Sequence, residues 1–365
     1  MPFASIPEAI ELFRAGKMLV VVDDEDRENE GDLTIAAEKI SPEIINFMAM
    51  HGRGLICLAL SAERCDALHL PLMSPANTSM FGTAFCEAID ARDGVTTGIS
   101  AADRAKTIQV AIDPTSKPHD LARPGHMFPL RAREGGVLVR GGQTEAAVDL
   151  ARLAGLEPGG VICEIMNDDG TMSRVPELKE FCKKHGLKMI SVADLIRWRI
   201  YNERIVRRSG EGTMQTDYGT FRTITYASSV DSEQHIALVY GEIHPEHDVL
   251  VRVQSHCAFG NIFGSRECDC QRVLRASMAE IARQGAGVLV YLHQTAPGAA
   301  HARDNTGVVE VQGQRVLQHE VGIGAQILAD LGLRRIRILI NRPRKIVGLE
   351  AFGIEVAEQV KVALD

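Results

Sequence analysis

Apolar residues fall at helical spacing in "SIPEAIELFRAGK", residues 5–17, and an unbroken apolar run, "MLVVV", follows at 18–22. The first pattern predicts an amphipathic helix. Ser5 and Glu8 have capping-box spacing, Pro7 is tolerated in the first turn, and Gly16 is placed to end it. The second predicts a buried strand. "SPEIINFMAMHG" (41–52) predicts another helix and "LICLAL" (55–60) another strand. "GGQTEAAVDLARLAGL" (141–156) reads as a helix stopped by Gly155, and "GVICEIM" (160–166) as a strand closed by the turn "NDDG". "PELKEFCKKHG", "LKMISV" and "SVADLIRWRIYNERIVRR" add helix, strand and a long helix up to residue 208.

The pattern then lapses. "RRSGEGT", residues 207–213, is polar, contains glycine and has no period. It reads as a linker over 207–212, separating a domain at 1–206 from a second at 213–365. The second half shows strand-like "FRTITYA", "HIALVYGEI" and "DVLVRVQSHC", then a helix, "RVLRASMAEIARQGAG", and a strand, "VLVYLH". Residues 295–315 are poorly patterned, and "GIGAQILADLG" and "RIRILI" close the chain as helix and strand. Helices and strands mix without strict alternation in both halves, so the expected class is α+β.

Composition narrows the function classes. A chain of 365 residues suits two domains, and 45% hydrophobic residues suffice for real cores. The formal charge of −8 argues against a nucleic-acid surface. No apolar run is long enough for a membrane helix, and the N-terminus lacks a secretory pattern, so a cytoplasmic protein is expected. Of eight cysteines, five are scattered and three cluster, which suits reduced thiols and one metal site.

The chemistry concentrates after the first strand. From Asp23 to Asp32, in "DDEDRENEGD", seven of ten residues are acidic. This is either a solvated loop or a site for a hard cation or proton transfer. Its companions favour a site. "GVTTGISAADR" (94–104) offers small hydroxyls that suit a phosphate. "RPGHMFPL" (123–130) places His126 after a Pro-Gly turn, where a lone histidine is more often structural. "VRGGQTEA" (139–146) puts Arg140 and two glycines at a helix start, with Thr144 as a cap, a suitable anion site. Glu164 lies among apolar residues in "VICEI", a costly place for a carboxylate unless it is paired or functional.

Together with "CEIMNDDGTM", these motifs make residues 1 to about 205 resemble the 3,4-dihydroxy-2-butanone-4-phosphate synthases of riboflavin biosynthesis. The resemblance implies conversion of ribulose 5-phosphate to 3,4-dihydroxy-2-butanone 4-phosphate and formate, with Mg²⁺ or Mn²⁺. It implies Glu28 as metal ligand, Arg27 and Asp32 on substrate, and Arg140, Gly141, Gly142, Gln143 and Thr144 on the sugar phosphate. His126 and Glu164 become the essential acid–base pair, with Glu164 also on substrate. A homodimer with active sites near the subunit interface is implied too. The chain departs from the pattern at Gln143, where the family has the histidine that is its second metal ligand. An amide oxygen suits Mg²⁺ but carries no proton.

"SHCAFGNIFGSRECDC" holds the cysteine cluster, Cys257, Cys268 and Cys270. Three thiolates at these spacings suit Zn²⁺ with one open position. With "GIGAQILADLG" and "PRKIVGLEAFGIEV", they make residues from about 213 onward resemble GTP cyclohydrolase II, whose zinc ligands the cysteines match. Other family positions differ. His256 stands for a glutamate, Val273 for the glutamine that reads the base, and "HQTAP" (293–297) for the triphosphate loop. Leu317 and His319 replace a catalytic aspartate and arginine, while Lys345 in "RPRK" is kept. The expectation is therefore an active synthase with a zinc-binding tail that does not hydrolyse GTP. A bifunctional enzyme and a non-catalytic scaffold are the alternatives.

Overall fold

The computed structural model describes residues 3–24, 27–230, 233–244, 246–266, 268–293, 313–341 and 349–364, without the side chains of 313–321 and 351. The chain forms two compact units, Met1–Trp198 and Arg199–Asp365.

The first unit is built on a seven-stranded mixed sheet. Its strands are β1 (Leu19–Val22), β2 (Gly31–Ala36), β3 (Cys57–Leu60), β4 (Ile89–Ala91), β5 (Leu121–Arg131), β6 (Gly159–Glu164) and β7 (Lys188–Ser191). Their spatial order is β4-β5-β3-β6-β2-β1-β7. The helices are α1 (Ile6–Arg14), α2 (Pro42–Phe47), α3 (Ala62–Ala67), α4 (Ala101–Ile112), α5 (Gln143–Leu153), α6 (Val175–His185) and α7 (Val192–Asn202). Strand β1 shows why "MLVVV" has no alternation. Val20 and Val22 enter one core with Leu33, Leu58 and α4, while Leu19 and Val21 enter another with α1 and α5. A strand buried on both faces reads as a continuous apolar run.

Local chemistry fixes several ends. The Ser5 hydroxyl accepts the Glu8 N–H at 3.3 Å, and Ser41 and Ser100 cap α2 and α4 in the same way. Such caps contribute roughly 1 kcal/mol each. The acidic stretch is the connection of the β1–β2 hairpin, whose antiparallel register pairs Val22 with Gly31.

The second unit has the strands β8 (Val206–Thr216), β9 (Gly219–Ser228), β10 (Gln234–Tyr240), β11 (Val249–Ser255), β12 (Gly287–Leu292), β13 (Arg335–Ile340) and β14 (Glu355–Lys361). Their order is β14-β13-β11-β12-β10-β9-β8. Helix α8 (Cys270–Gln284) packs Val273, Met278 and Ile281 against it, and α9 spans Gly313–Asp330. The α+β class holds for both units.

The expected linker is wrong. Residues 207–212 lie inside β8, paired antiparallel with β9 from Val206↔Ser228 to Thr216↔Gly219. This is an edge strand with nearly all its side chains in solvent, so burial imposes no alternation on its sequence. The long helix read up to residue 208 ends at Asn202. The "HQTAP" loop beyond His293, Lys345, and the side chains of Leu317 and His319 lie outside the described residues.

Candidate active site

The acidic loop is organised by Asp23, whose buried carboxylate accepts N–H groups from Glu28 (3.1 Å) and Glu30 (2.8 Å). It also pairs with the Arg27 guanidinium at 2.7 Å. One carboxylate therefore curls the hairpin connection and holds Arg27 inward. Arg27 Nη2 reaches Glu28 Oε1 at 2.8 Å, and Nη1 donates to Gln143 Oε1 at 3.0 Å. Its guanidinium faces the Phe81 ring at 5.4 Å. A guanidinium has donors only, so the Gln143 atom facing it must be the amide oxygen. That orientation leaves Gln143 Nε2 buried without a hydrogen-bond partner.

Sheet pairing supplies the next two carboxylates. Strands β2 and β6 run antiparallel with Asp32 opposite Glu164. Asp32 is buried, and its carboxyl is pushed well above the usual range by burial first and then by Glu164, Glu28 and Glu30. Burial also raises Glu164, with Glu28 adding to it, although the Leu55 N–H donates to Glu164 Oε2 at 2.8 Å. Glu30 is raised by burial and by Glu28. Like charges crowded in low dielectric disfavour the ionised form of each. Groups coupled this closely titrate as a set.

His126 comes from β5. Strand β3 pairs Cys57 with Phe128 on one side and with Ile162 on the other. His126 and Glu164 lie just beyond those pairs at the same end of the sheet, where the Leu55 N–H donates to Glu164 Oε2. His126 Nδ1 sits 2.7 Å from Asp90 Oδ2, and the His126 N–H donates to Asp90 Oδ1 at 3.0 Å. A carboxylate accepts, so Nδ1 carries a proton and donates to Asp90, leaving Nε2 as the nitrogen available to a substrate.

The anion side is built at the start of α5. Gly142 caps the helix with no side chain, leaving first-turn N–H groups for a ligand or solvent. A Cβ on Gly142 would lie 2.6 Å from Arg140 Nη1 and 3.1 Å from Arg27 Nη2, so glycine lets both guanidinium groups close on the turn. Arg140 is held by Glu145 at 2.6 Å and by the Thr83 hydroxyl at 3.2 Å. Thr144 is buried in the first turn.

Several residues that position this site carry no sequence signal of their own. Asp90 is a single carboxylate in an unremarkable context, and Asp23 and Glu145, although inside the motif segments, have nothing in the sequence to mark them as the groups that hold Arg27 and Arg140. The phosphate reading of 94–104 is revised. The Thr96 hydroxyl donates to Asp103 Oδ2 at 2.6 Å, and Ser100 caps α4. Led by Thr96, these bonds draw the Asp103 carboxyl down to about 2. The loop's polar groups thus brace the loop itself and set Gly98 against the Asp90–His126 pair. Cys57, Cys65, Cys86, Cys163 and Cys182 are buried free thiols, as their apolar contexts imply.

The donor set fits a divalent cation. Among the described residues no three carboxylates bring their oxygens together closely enough to share an ion, but Glu28 Oε1 and Gln143 Oε1 meet on one guanidinium, and hard oxygens of this kind suit such a cation. In the second unit, Sγ atoms of Cys257, Cys268 and Cys270 lie within 4.8 Å of one another, with Cys257 to Cys268 at 3.8 Å. Two thiolates on one tetrahedral zinc, at about 2.3 Å each, are about 3.8 Å apart. The trio fits Zn²⁺. Beside it, His256 Nδ1 lies 2.8 Å from the Tyr291 hydroxyl, and His256 stacks on His293. Val273 is buried in the core beneath α8.

The profile of the family "3,4-dihydroxy-2-butanone 4-phosphate synthase" matches residues 7–198, and that of "GTP cyclohydrolase II" matches 207–361. A riboflavin biosynthesis protein RibBA from Aquifex aeolicus (strain VF5) is 52% identical over 378 residues, covering 100% of this chain and 93% of its own. Another, from Bacillus mycoides (strain KBAB4), is 49% identical over 99% of this chain and 94% of its own. Among solved structures, RibBX from A. baumannii, a two-domain 3,4-dihydroxy-2-butanone 4-phosphate synthase, is similar with a TM-score of 0.79 and 41% identity, over 99% of this chain and 100% of that one. A 3,4-dihydroxy-2-butanone 4-phosphate synthase in complex with two magnesium ions is 43% identical, with a TM-score of 0.53, over 55% of this chain and 99% of that one. With profiles over both halves and relatives matched end to end, the chain belongs to the 3,4-dihydroxy-2-butanone 4-phosphate synthase family, in the two-part form in which a GTP cyclohydrolase II-type domain follows the synthase domain.

Proposed function

We propose that the first unit converts ribulose 5-phosphate to 3,4-dihydroxy-2-butanone 4-phosphate and formate. The observation that carries this reading is the pairing of Asp32 with Glu164 across β2 and β6, beside Arg27 and Glu28. Two carboxyls with raised pKa values hold a proton more readily than free carboxylates and can pass it on, which a dehydration and a carbon-skeleton shift both need. Arg27, Arg140 and the first turn of α5 hold the phosphate end. His126 Nε2, aimed by Asp90, takes the proton beside the substrate carbonyl. Glu164 and Asp32 exchange protons with the substrate hydroxyls, one of which leaves as water. Glu28 would hold Mg²⁺ or Mn²⁺, with the amide oxygen of Gln143 as a second, neutral donor. When bound, the ion supplies positive charge for the oxygen anion that develops after proton removal. The exposed apolar residues Leu72, Met73, Met80 and Phe81 support a homodimer, since they border the site through Phe81.

The test is formate release from ribulose 5-phosphate with saturating Mg²⁺ and with chelator. Formate is expected only with the metal. Absence of formate at saturating Mg²⁺ and Mn²⁺ would remove this reading. For the second unit, buried Val273 and the His256–Tyr291 pair support a zinc-holding domain that does not open GTP. Formate and a pyrimidine product from GTP would reverse that assignment.

A further inference from the structure

The Arg27 guanidinium bridges the two groups assigned above to the divalent cation. Nη2 is 2.8 Å from Glu28 Oε1, and Nη1 is 3.0 Å from Gln143 Oε1. The side chain is only 10% exposed and is further fixed by Asp23 at 2.7 Å and by the Phe81 ring. This arrangement depends on the residue at 143. A glutamine offers an oxygen that accepts from arginine. A histidine at 143 could accept only in its neutral form and through a single nitrogen. The bridge also leaves Gln143 Nε2 buried without a partner, and such a donor is costly to leave unmade. The bridged arrangement is therefore a resting state that a better partner for either side displaces.

We infer that Arg27 is an internal competitor for the cation: its positive charge neutralises Glu28 and engages Gln143 until a substrate anion draws the guanidinium away. The inference rests on the assignment of Glu28 and Gln143 as the cation's ligands. Binding is then coupled in both directions. An anion that recruits Arg27 frees the two oxygens, so it tightens cation binding, and the cation tightens anion binding by the same factor. Without an anion the cation must displace a charge held by three oxygens, so it binds weakly. Asp23 and Glu28 are thus kept paired when no substrate is present.

The experiment titrates the full chain with Mn²⁺ alone, followed by the loss of free Mn²⁺ EPR signal, with and without inorganic phosphate. Wild type is expected to bind Mn²⁺ about 10-fold more tightly when phosphate is present. Arg27→Met is expected to bind Mn²⁺ about 10-fold more tightly than wild type without phosphate, and to show no phosphate effect. Arg27→Lys keeps a charge near Asp23 but cannot bridge both oxygens, so a smaller gain is expected even if Arg27→Met folds poorly. Circular dichroism reports on folding. Unchanged or weaker Mn²⁺ binding in folded Arg27 variants overturns the competition. Mn²⁺ binding that ignores both Glu28→Gln and Gln143→Met overturns the ligand assignment, and the competition with it. Formate release by wild type separates either failure from failure of the proposed reaction.

Discussion

His126 and Asp90 form a two-point contact, with imidazole Nδ1 2.7 Å from Oδ2 and the His126 backbone N–H donating to Oδ1 at 3.0 Å. Both bonds orient one ring and fix one tautomer. Asp90→Asn keeps the size but presents an amide, which can turn an N–H toward Nδ1 and place the ring proton on Nε2. Positioned proton transfer is worth about 10²–10⁴-fold. We expect kcat for formate release to fall by on the order of 10², with KM for ribulose 5-phosphate little changed. A kcat near that of wild type would show that Asp90 is merely structural.

Gly98 backs this pair. Its φ of +94° is in the region L side chains rarely adopt, and an added Cβ would meet the Asp90 carboxylate and His126 Nδ1. Gly98→Ala therefore strains the backbone by about 1–3 kcal/mol and pushes on both partners. The expected result is a kcat loss of at least roughly 10-fold, comparable with loss of positioned proton transfer, together with a lower urea midpoint. A stable variant with full activity would mean that the loop moves freely away from His126.

Much of this architecture can be read in the chain, and the exceptions have physical causes. Strand β1 and helix α5 announce themselves because burial imposes period or continuity on them. Strand β5 contains Pro124, Gly125 and Pro129, which argue against a strand in sequence, yet it carries His126. Strand β8 is solvated on both faces and so mimics a linker. The motif residues Arg27, Glu28, Asp32 and Gln143 are legible because chemistry clusters them in short segments. Asp90 is not, since its role comes from the pairing of β4 with β5, which joins segments 36 residues apart.

Asp32 is predicted to cost stability for the sake of the site. Burial and nearby carboxylates raise its folded pKa above the unfolded value of about 3.9. A raised carboxylate favours folding when protonated, so that contribution is complete below the unfolded pKa and is lost as pH rises through the folded pKa. Asp32→Asn should therefore be more stable than wild type at pH 8, by on the order of 1 kcal/mol or 2–4 °C in Tm. Its advantage should shrink to nothing near pH 4. Activity should fall by at least about 10² if Asp32 moves protons in the reaction. A variant less stable than wild type at pH 8 would contradict the like-charge account.

The cysteine trio makes a separate prediction for the second unit. Its Sγ spacing matches one zinc ion, and Gly260 supports it by donating its N–H to Cys257 Sγ at 3.3 Å. A Cβ on Gly260 would lie 2.5 Å from Cys268 Sγ, so the turn is closed tightly over the thiols. Burial and the neighbouring thiols raise the Cys270 pKa, so a thiolate there needs a cation. Protein purified without chelator should carry one zinc per chain by elemental analysis, and Cys268→Ser should carry almost none. If free zinc is at a thousandfold excess over Kd, binding stabilises the fold by about 4 kcal/mol. That corresponds to roughly 10 °C in the melting of a unit this size. Zinc-loaded wild type should release no formate from GTP. Zinc retained in Cys268→Ser, or missing from wild type, would show that the three thiols are neighbours without a shared ligand.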